Sequence, residues 1–103
     1  MAVRCNPRSR FYRYGLGGDF APHQDEPWRP NESIISLLTV LVYLPAGGCQ
    51  GGETVIDGEV VQVRDWRVAM FDHRLRHEGK PVEVGEKLVL RNDIVAHVVT
   101  ICG

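Results

Sequence analysis

Residues 34–44 read Ile-Ile-Ser-Leu-Leu-Thr-Val-Leu-Val-Tyr-Leu, and this stretch decides the fold class. It is rich in β-branched and apolar residues, is interrupted only by Ser36 and Thr39, and shows no 3.6-residue period, so it reads as a buried strand. No apolar run in the chain reaches the roughly 18–20 residues that would span a bilayer. The strand stops at Pro45 and the glycine-rich run Gly47-Gly48-Cys49-Gln50-Gly51-Gly52, which reads as a turn. Towards the C-terminus, residues 53–56 and 60–63 flank Asp57-Gly58, a dipeptide suited to a tight hairpin turn. Residues 69–72, 81–84 and 87–96 complete the later strands. Towards the N-terminus, residues 10–14 form a strand ended by Gly15-Leu16-Gly17-Gly18. Residues 19–25 form another, and Pro22 fits an edge or the first part of a strand better than a centre. Residues 24–33, with Pro27, Pro30 and Asn31, are a loop. About eight short strands between Gly and Pro punctuation predict an all-β sandwich or barrel. The apolar tail, residues 98–103, finds no place in this pattern.

Composition narrows the function classes. The chain has 103 residues, 44% hydrophobic and 24% charged, which predicts one domain over residues 1–103 with an ordinary globular balance. Net charge is −1. Arg4, Arg8, Arg10 and Arg13 are interleaved with Phe11, Tyr12 and Tyr14, a mixture that can bind nucleic acid. At this net charge a solvated strand face is the better reading, and neither a nucleic-acid nor a membrane partner is expected. Residues 1–10 lack the apolar core of a signal peptide. Three cysteines, Cys5, Cys49 and Cys102, are too few and scattered for a disulfide framework or a CxxC zinc site. An odd count suits a reducing compartment, so a cytoplasmic location is expected.

The chemistry begins at His23-Gln24-Asp25. In an extended strand His23 and Asp25 point to one face with Cα atoms about 6.6 Å apart, close enough to converge on one ion. His77, far downstream, is the third candidate. Two histidines and one carboxylate on one face of a metal leave positions open for a chelating cosubstrate and O2, which suits ferrous iron, whereas structural zinc prefers a closed tetrahedral site. Lys87 follows His77 across a Gly85-Glu86 turn, and antiparallel strands joined there would bring it back beside the metal. A fixed cation in that place suits the distal carboxylate of 2-oxoglutarate. Lys87, Val89 and Arg91 share a face by the period of two, which makes Arg91 a second anchor candidate. Each residue also has an ordinary reading: a surface histidine beside a turn for His23, a strand-end histidine pairing with Glu78 for His77, a solvated lysine for Lys87.

The stretches RFYRYGLGGDFAPHQDEP, SLLTVLVYLPAGGCQGGETVI and AMFDHRLRHEGKPVEVGEKLVLRNDI together resemble the iron and 2-oxoglutarate dioxygenase domain of the prolyl 4-hydroxylase-like type. The match runs from about Arg10 to Ile94, and its specific pieces are HxD, GGET and HEGxPVxxGxK. The resemblance implies a double-stranded β-helix (jelly roll) with the metal between two sheets. It implies His23, Asp25 and His77 as iron ligands, which are also the catalytic residues, and Lys87 as the partner of the cosubstrate's distal carboxylate. Tyr14, nine residues before His23, matches a tyrosine that helps hold the cosubstrate, and Thr54 in GGET matches a position lining the same pocket. A core aromatic and a structural strand threonine are the competing readings. His73 lies four residues before His77, but only His77 is followed by EGKPVEVGEK, so His73 is the decoy.

The expected activity is therefore hydroxylation of a protein side chain or small metabolite, with Fe(2+) as cofactor, 2-oxoglutarate and O2 as cosubstrates, and ascorbate as an accessory the resemblance allows. Succinate and CO2 leave as products. The loop at residues 26–33, with Trp28 and Arg29, is a candidate substrate lid. The competing classes are a non-catalytic jelly-roll binding module, a truncated inactive dioxygenase core, and a cupin-type metalloenzyme that uses no keto acid. Members of the family usually carry supporting helices before the first strand, and only nine residues precede Arg10 here. A missing helical cover predicts an exposed apolar sheet face, and with it a homodimer, an excerpt of a longer chain or a weakly stable fold.

Overall fold

The structure, a computed structural model, describes residues 2–97. Its elements are all strands: β1 (Ala2–Cys5), β2 (Arg10–Tyr14), β3 (Phe20–His23), β4 (Ile34–Leu44), β5 (Gln50–Gly51), β6 (Thr54–Ile56), β7 (Glu59–Val61), β8 (Val68–Asp72), β9 (His77–Gly79), β10 (Val82–Val84) and β11 (Lys87–His97). The all-β expectation holds. Eleven strands rather than about eight are present among the described residues, because β1, β5 and β9 are short or polar and carry no alternating pattern of their own. The apolar tail at residues 98–103 lies outside the described residues, and no described helix is long and apolar enough to cross a membrane.

The strands form two main antiparallel sheets. One has the order β1-β11-β4-β8, with β2 pairing β11 on the side that also carries β1. The other has the order β3-β9-β6-β7, and a small third ladder joins β10 to β5. Side-chain alternation on β4 turns Leu41 and Tyr43 inward, where they form a buried cluster with Ala69, Phe71 and Val89. Ile56 and Val61 pack onto this cluster from the opposite sheet, which makes the molecule the two-layer sandwich of a jelly roll. The outward row is apolar too: Phe11, Val68 and Met70 are 57%, 57% and 59% exposed, on the face expected to lack cover.

Local chemistry explains several joints. Asp57 and Gly58 both have positive φ, 47° and 83°, and link Ile56 to its partner Glu59, the geometry of a type I′ hairpin turn. Pro22 lies on β3, an edge strand, where a missing N–H leaves no ladder bond unmade. The run Gly47–Gly52 is more than a turn, since Gln50–Gly51 pairs with β10. A register shift between Ile94 and Val95 leaves Leu37 of β4 unpaired and marks a bulge there. It resets the alternation on β4, so that Ser36 and Thr39, three residues apart, are both buried.

The Gly85-Glu86 turn corrects one expectation. β10 does not return as a hairpin onto β11: it pairs with β5, while β11 lies in the large sheet. Lys87 therefore approaches from the opposite layer, not along a neighbouring strand.

At Gly79, paired with Phe20 across β3 and β9, an added Cβ would sit 2.2–2.9 Å from the Phe20 ring. Gly79→Ala is expected to destabilise the fold by about 1–3 kcal/mol through overpacking and to push Phe20 towards the interior. Urea denaturation measures this, and an unchanged midpoint would contradict the packing described.

Candidate metal centre

β3 and β9 are antiparallel neighbours, and their ladder sets His23 directly opposite His77. Their imidazoles lie 4.4 Å apart between centroids, on one face as cross-strand pairs must be. Asp25 lies just past the end of β3. Its backbone N–H donates to the His73 carbonyl at 2.9 Å, which carries the extended path far enough to bring its carboxylate under both rings. His23 Nε2 lies 3.3 Å from Asp25 Oδ1, and His77 Nε2 lies 3.4 Å from Asp25 Oδ2.

The donor set fits a metal of this kind. His23 Nδ1 is 2.8 Å from the Ala21 carbonyl and His77 Nδ1 is 2.9 Å from the Leu75 carbonyl. A carbonyl only accepts, so each Nδ1 carries the proton, and Nε2, which a metal would deprotonate, is the nitrogen left to bind it, the outer-shell arrangement usual for metal-bound histidine. One ligand atom from each of His23, Asp25 and His77 lies within 4.8 Å of the others. Two adjacent ligands of an octahedral ion bound at about 2.1 Å lie about 3 Å apart, close to the separations seen here. Phe71 and Phe20 stand edge-on to the His77 ring at 4.7 and 6.1 Å and limit its rotation.

Asp25 is held ionised. Burial would raise its carboxyl, but hydrogen bonds from His77 and Thr39, together with the Arg91 charge, outweigh this and hold it well below the usual carboxylate range. Thr39 Oγ1 donates to Asp25 Oδ2 at 2.7 Å, and Arg91 Nη2 lies 3.4 Å away. Burial lowers the His77 imidazole, yet Asp25 and the Leu75 carbonyl raise it overall.

A cavity of about 200 Å³ opens beside these ligands, and it is lined also by Tyr14, Thr54, Lys87 and Arg91. All seven side chains singled out in the sequence thus border one space. Lys87 is 1% exposed and has no carboxylate partner among the described residues. Its ammonium donates to the Gly52 carbonyl at 2.8 Å and lies 4.6 Å over the Tyr14 ring, and burial pushes it below the usual lysine value. Arg91 differs, because it is shared between Asp25 and Asp93 at 3.4 and 3.6 Å. Thr54 is buried and its hydroxyl is held by Tyr43.

His73 is buried away from the cluster, with Nδ1 2.7 Å from the Leu37 carbonyl in the bulge. Sequence reasoning missed Thr39 and Phe20. The signal for Thr39 was present, as a polar residue set in phase with Leu41 and Tyr43 inside an apolar strand. The 26–33 loop is tied down at Trp28, whose N–H donates to Ser36 Oγ at 2.6 Å and whose carbonyl accepts from Ser36 N–H at 2.9 Å.

Comparison with known proteins follows this geometry. A family model described as the 2OG-Fe(II) oxygenase superfamily matches residues 9–92. The curated proteins contain no match to the chain. Among solved structures, the fold is similar to that of the viral collagen prolyl hydroxylase vCPH from Paramecium Bursaria Chlorella virus-1. Its 2OG complex aligns with a TM-score of 0.69 at 24% identity, over 93% of this chain and 61% of that one. A truncated form of the same enzyme aligns with a TM-score of 0.70 at 24% identity, over 96% and 58%. The chain thus spans about three fifths of the length of these structures. Because the family match runs over most of its length, the chain belongs to the 2OG-Fe(II) oxygenase superfamily.

Proposed function

We propose that this chain holds one ferrous ion on His23, Asp25 and His77 and hydroxylates a small-molecule or peptide substrate. A substrate C–H becomes C–OH as 2-oxoglutarate and O2 are converted to succinate and CO2. The observation that carries this reading is the convergence of two Nε2 atoms and one carboxylate at the mouth of a cavity that also holds a buried, carboxylate-free lysine. The viral collagen prolyl hydroxylase, similar in fold and solved as a 2OG complex, supports the choice of cosubstrate.

When bound, the ion together with the keto acid and O2 supplies the oxidising chemistry. The residues supply position. The Ala21 and Leu75 carbonyls aim the two imidazoles, and Thr39 and Arg91 keep Asp25 charged and oriented. Lys87 binds the distal carboxylate of 2-oxoglutarate. It is the better anchor of the two cations because the Arg91 charge is already shared between Asp25 and Asp93. The Tyr14 ring stabilises the Lys87 ammonium from one side, and Tyr14 and Thr54, both on the wall of the cavity, complete the hold on the cosubstrate in this reading. Phe20, Leu41 and Val89 line the same space and make part of its wall apolar, which strengthens the charge pair. A cavity of about 200 Å³, smaller than the roughly 300–1,000 Å³ of drug-sized sites, suits a five-carbon diacid.

Succinate formation from 2-oxoglutarate under air, dependent on added ferrous iron, is the direct test. Binding of iron and 2-oxoglutarate without succinate would reduce the chain to a binding module. His77→Ala is expected to abolish iron-dependent turnover and metal binding. His73→Ala is expected to keep both while losing about 1–3 kcal/mol of stability with its buried hydrogen bond. The reverse pattern would move the third ligand to His73.

Lys87→Met is expected to raise the KM for 2-oxoglutarate roughly 10- to 100-fold, the worth of a charge-assisted hydrogen bond. With metal present, 2-oxoglutarate at about 100 times its Kd should stabilise the parent protein by about 2.7 kcal/mol, read as a rise in Tm. Lys87→Met should lose most of that rise, and a full rise in the variant would assign the anchor elsewhere.

A further inference from the structure

A second cavity, of about 440 Å³, adjoins the first and shares Asp25 and Arg91 with it. That size falls within the roughly 300–1,000 Å³ of small-molecule sites, and whatever occupies it lies against a ligand of the metal centre. The reaction described above leaves it unused.

Its walls are built. Asn6 is buried, its N–H donates to the Asp93 carbonyl at 2.9 Å, and its side-chain oxygen accepts the Arg8 N–H at 3.0 Å. The Asn6 carbonyl accepts from Asn92 Nδ2 at 2.9 Å. These bonds tie the segment between β1 and β2 to β11 and set Arg8 on one side of the groove. On another side Trp28 is held by Ser36, with a side chain 41% exposed that lines the groove.

The charges are arranged unusually. Arg10 stands directly opposite Arg91 in the β2–β11 ladder, where like charges oppose each other. Alternation places both on the inner face with Tyr12, Tyr14, Lys87 and Val89, all of which line the first cavity. Arg91 is offset by Asp25 and Asp93. Arg8 and Arg10 have no carboxylate partner among the described residues, and Glu26 is the one lining carboxylate left unpaired there. Two free guanidinium groups therefore face one free carboxylate, and guanidinium binds carboxylate and phosphate through two parallel hydrogen bonds.

We propose that this groove is the substrate site, and that the substrate is a small molecule whose carboxylate or phosphate is bound by Arg8 and Arg10 while its apolar part rests on Trp28. The inference builds on the oxygenase reading. It places the C–H to be attacked over Asp25, between the two cavities.

The test begins with succinate formation by the iron-loaded protein without substrate, which reports on the oxygenase reading alone. N-acetyl amino acids are then compared with their amides, and phosphate monoesters with their parent alcohols. Stimulation of succinate release is one readout. Tryptophan fluorescence, with Trp28→Phe as control for Trp66, is a second that needs no turnover. At least one acid or phosphate should act at a concentration tenfold or more below its uncharged partner. Arg8→Gln and Arg10→Gln, both exposed side chains, should each raise that concentration roughly tenfold with little change in maximal rate. Equal action of the uncharged partners, indifference of both variants, a response to an acidic peptide but to no small acid, or no binding and no stimulation at all would each overturn the proposal. Loss of succinate formation with acid binding intact would overturn only the oxygenase reading.

Discussion

The antiparallel pairing that sets His23 opposite His77 is the constraint from which the rest of the site follows. Two residues far apart in sequence become cross-strand neighbours, so their rings need no loop to bring them together. A slip of one residue would turn one imidazole to the far face of the sheet. Asp25, beyond the strand's end, lacks that support and depends on the His73 carbonyl, Thr39 and Arg91 instead. The candidate centre is thus two residues held by a ladder and one held by a backbone carbonyl and two side chains from elsewhere in the fold.

That opposite layer also supplies the cation. Lys87, Val89 and Arg91 project inward from one strand, β11, at successive points along the cavity wall. Spacing along a single strand fixes how far the buried ammonium lies from the guanidinium that supports Asp25. Lys87 is desolvated and faces a backbone carbonyl and two aromatic rings rather than a carboxylate. A buried charge without a counterion is costly, and in the proposed function a dicarboxylate offsets that cost.

The bulge at Leu37 ties fold to site. It resets the alternation so that Thr39 faces Asp25, and its carbonyl receives His73, whose own carbonyl then holds Asp25. Bulges are common beside active sites because an extra residue re-aims those that follow.

By itself the sequence determined the all-β class, the long central strand at residues 34–44 and the Asp57-Gly58 hairpin, and it offered His23, Asp25, His77, Lys87 and Arg91 as candidates, with Tyr14 and Thr54 added only by the family resemblance. The strand, the hairpin and the His23–Asp25 pair are written in local chemistry: alternation, turn dipeptides, and ligand types at i and i+2. Short-range patterns cannot express register between distant strands, so three short strands and the His23–His77 pairing came only with the tertiary structure. The same limit misplaced Lys87, expected through a hairpin at Gly85-Glu86 but delivered from the facing sheet. The pairing of Arg91 with Asp25 was likewise decided by packing, because a side chain's partner across a sandwich depends on layers that meet only when the chain is folded.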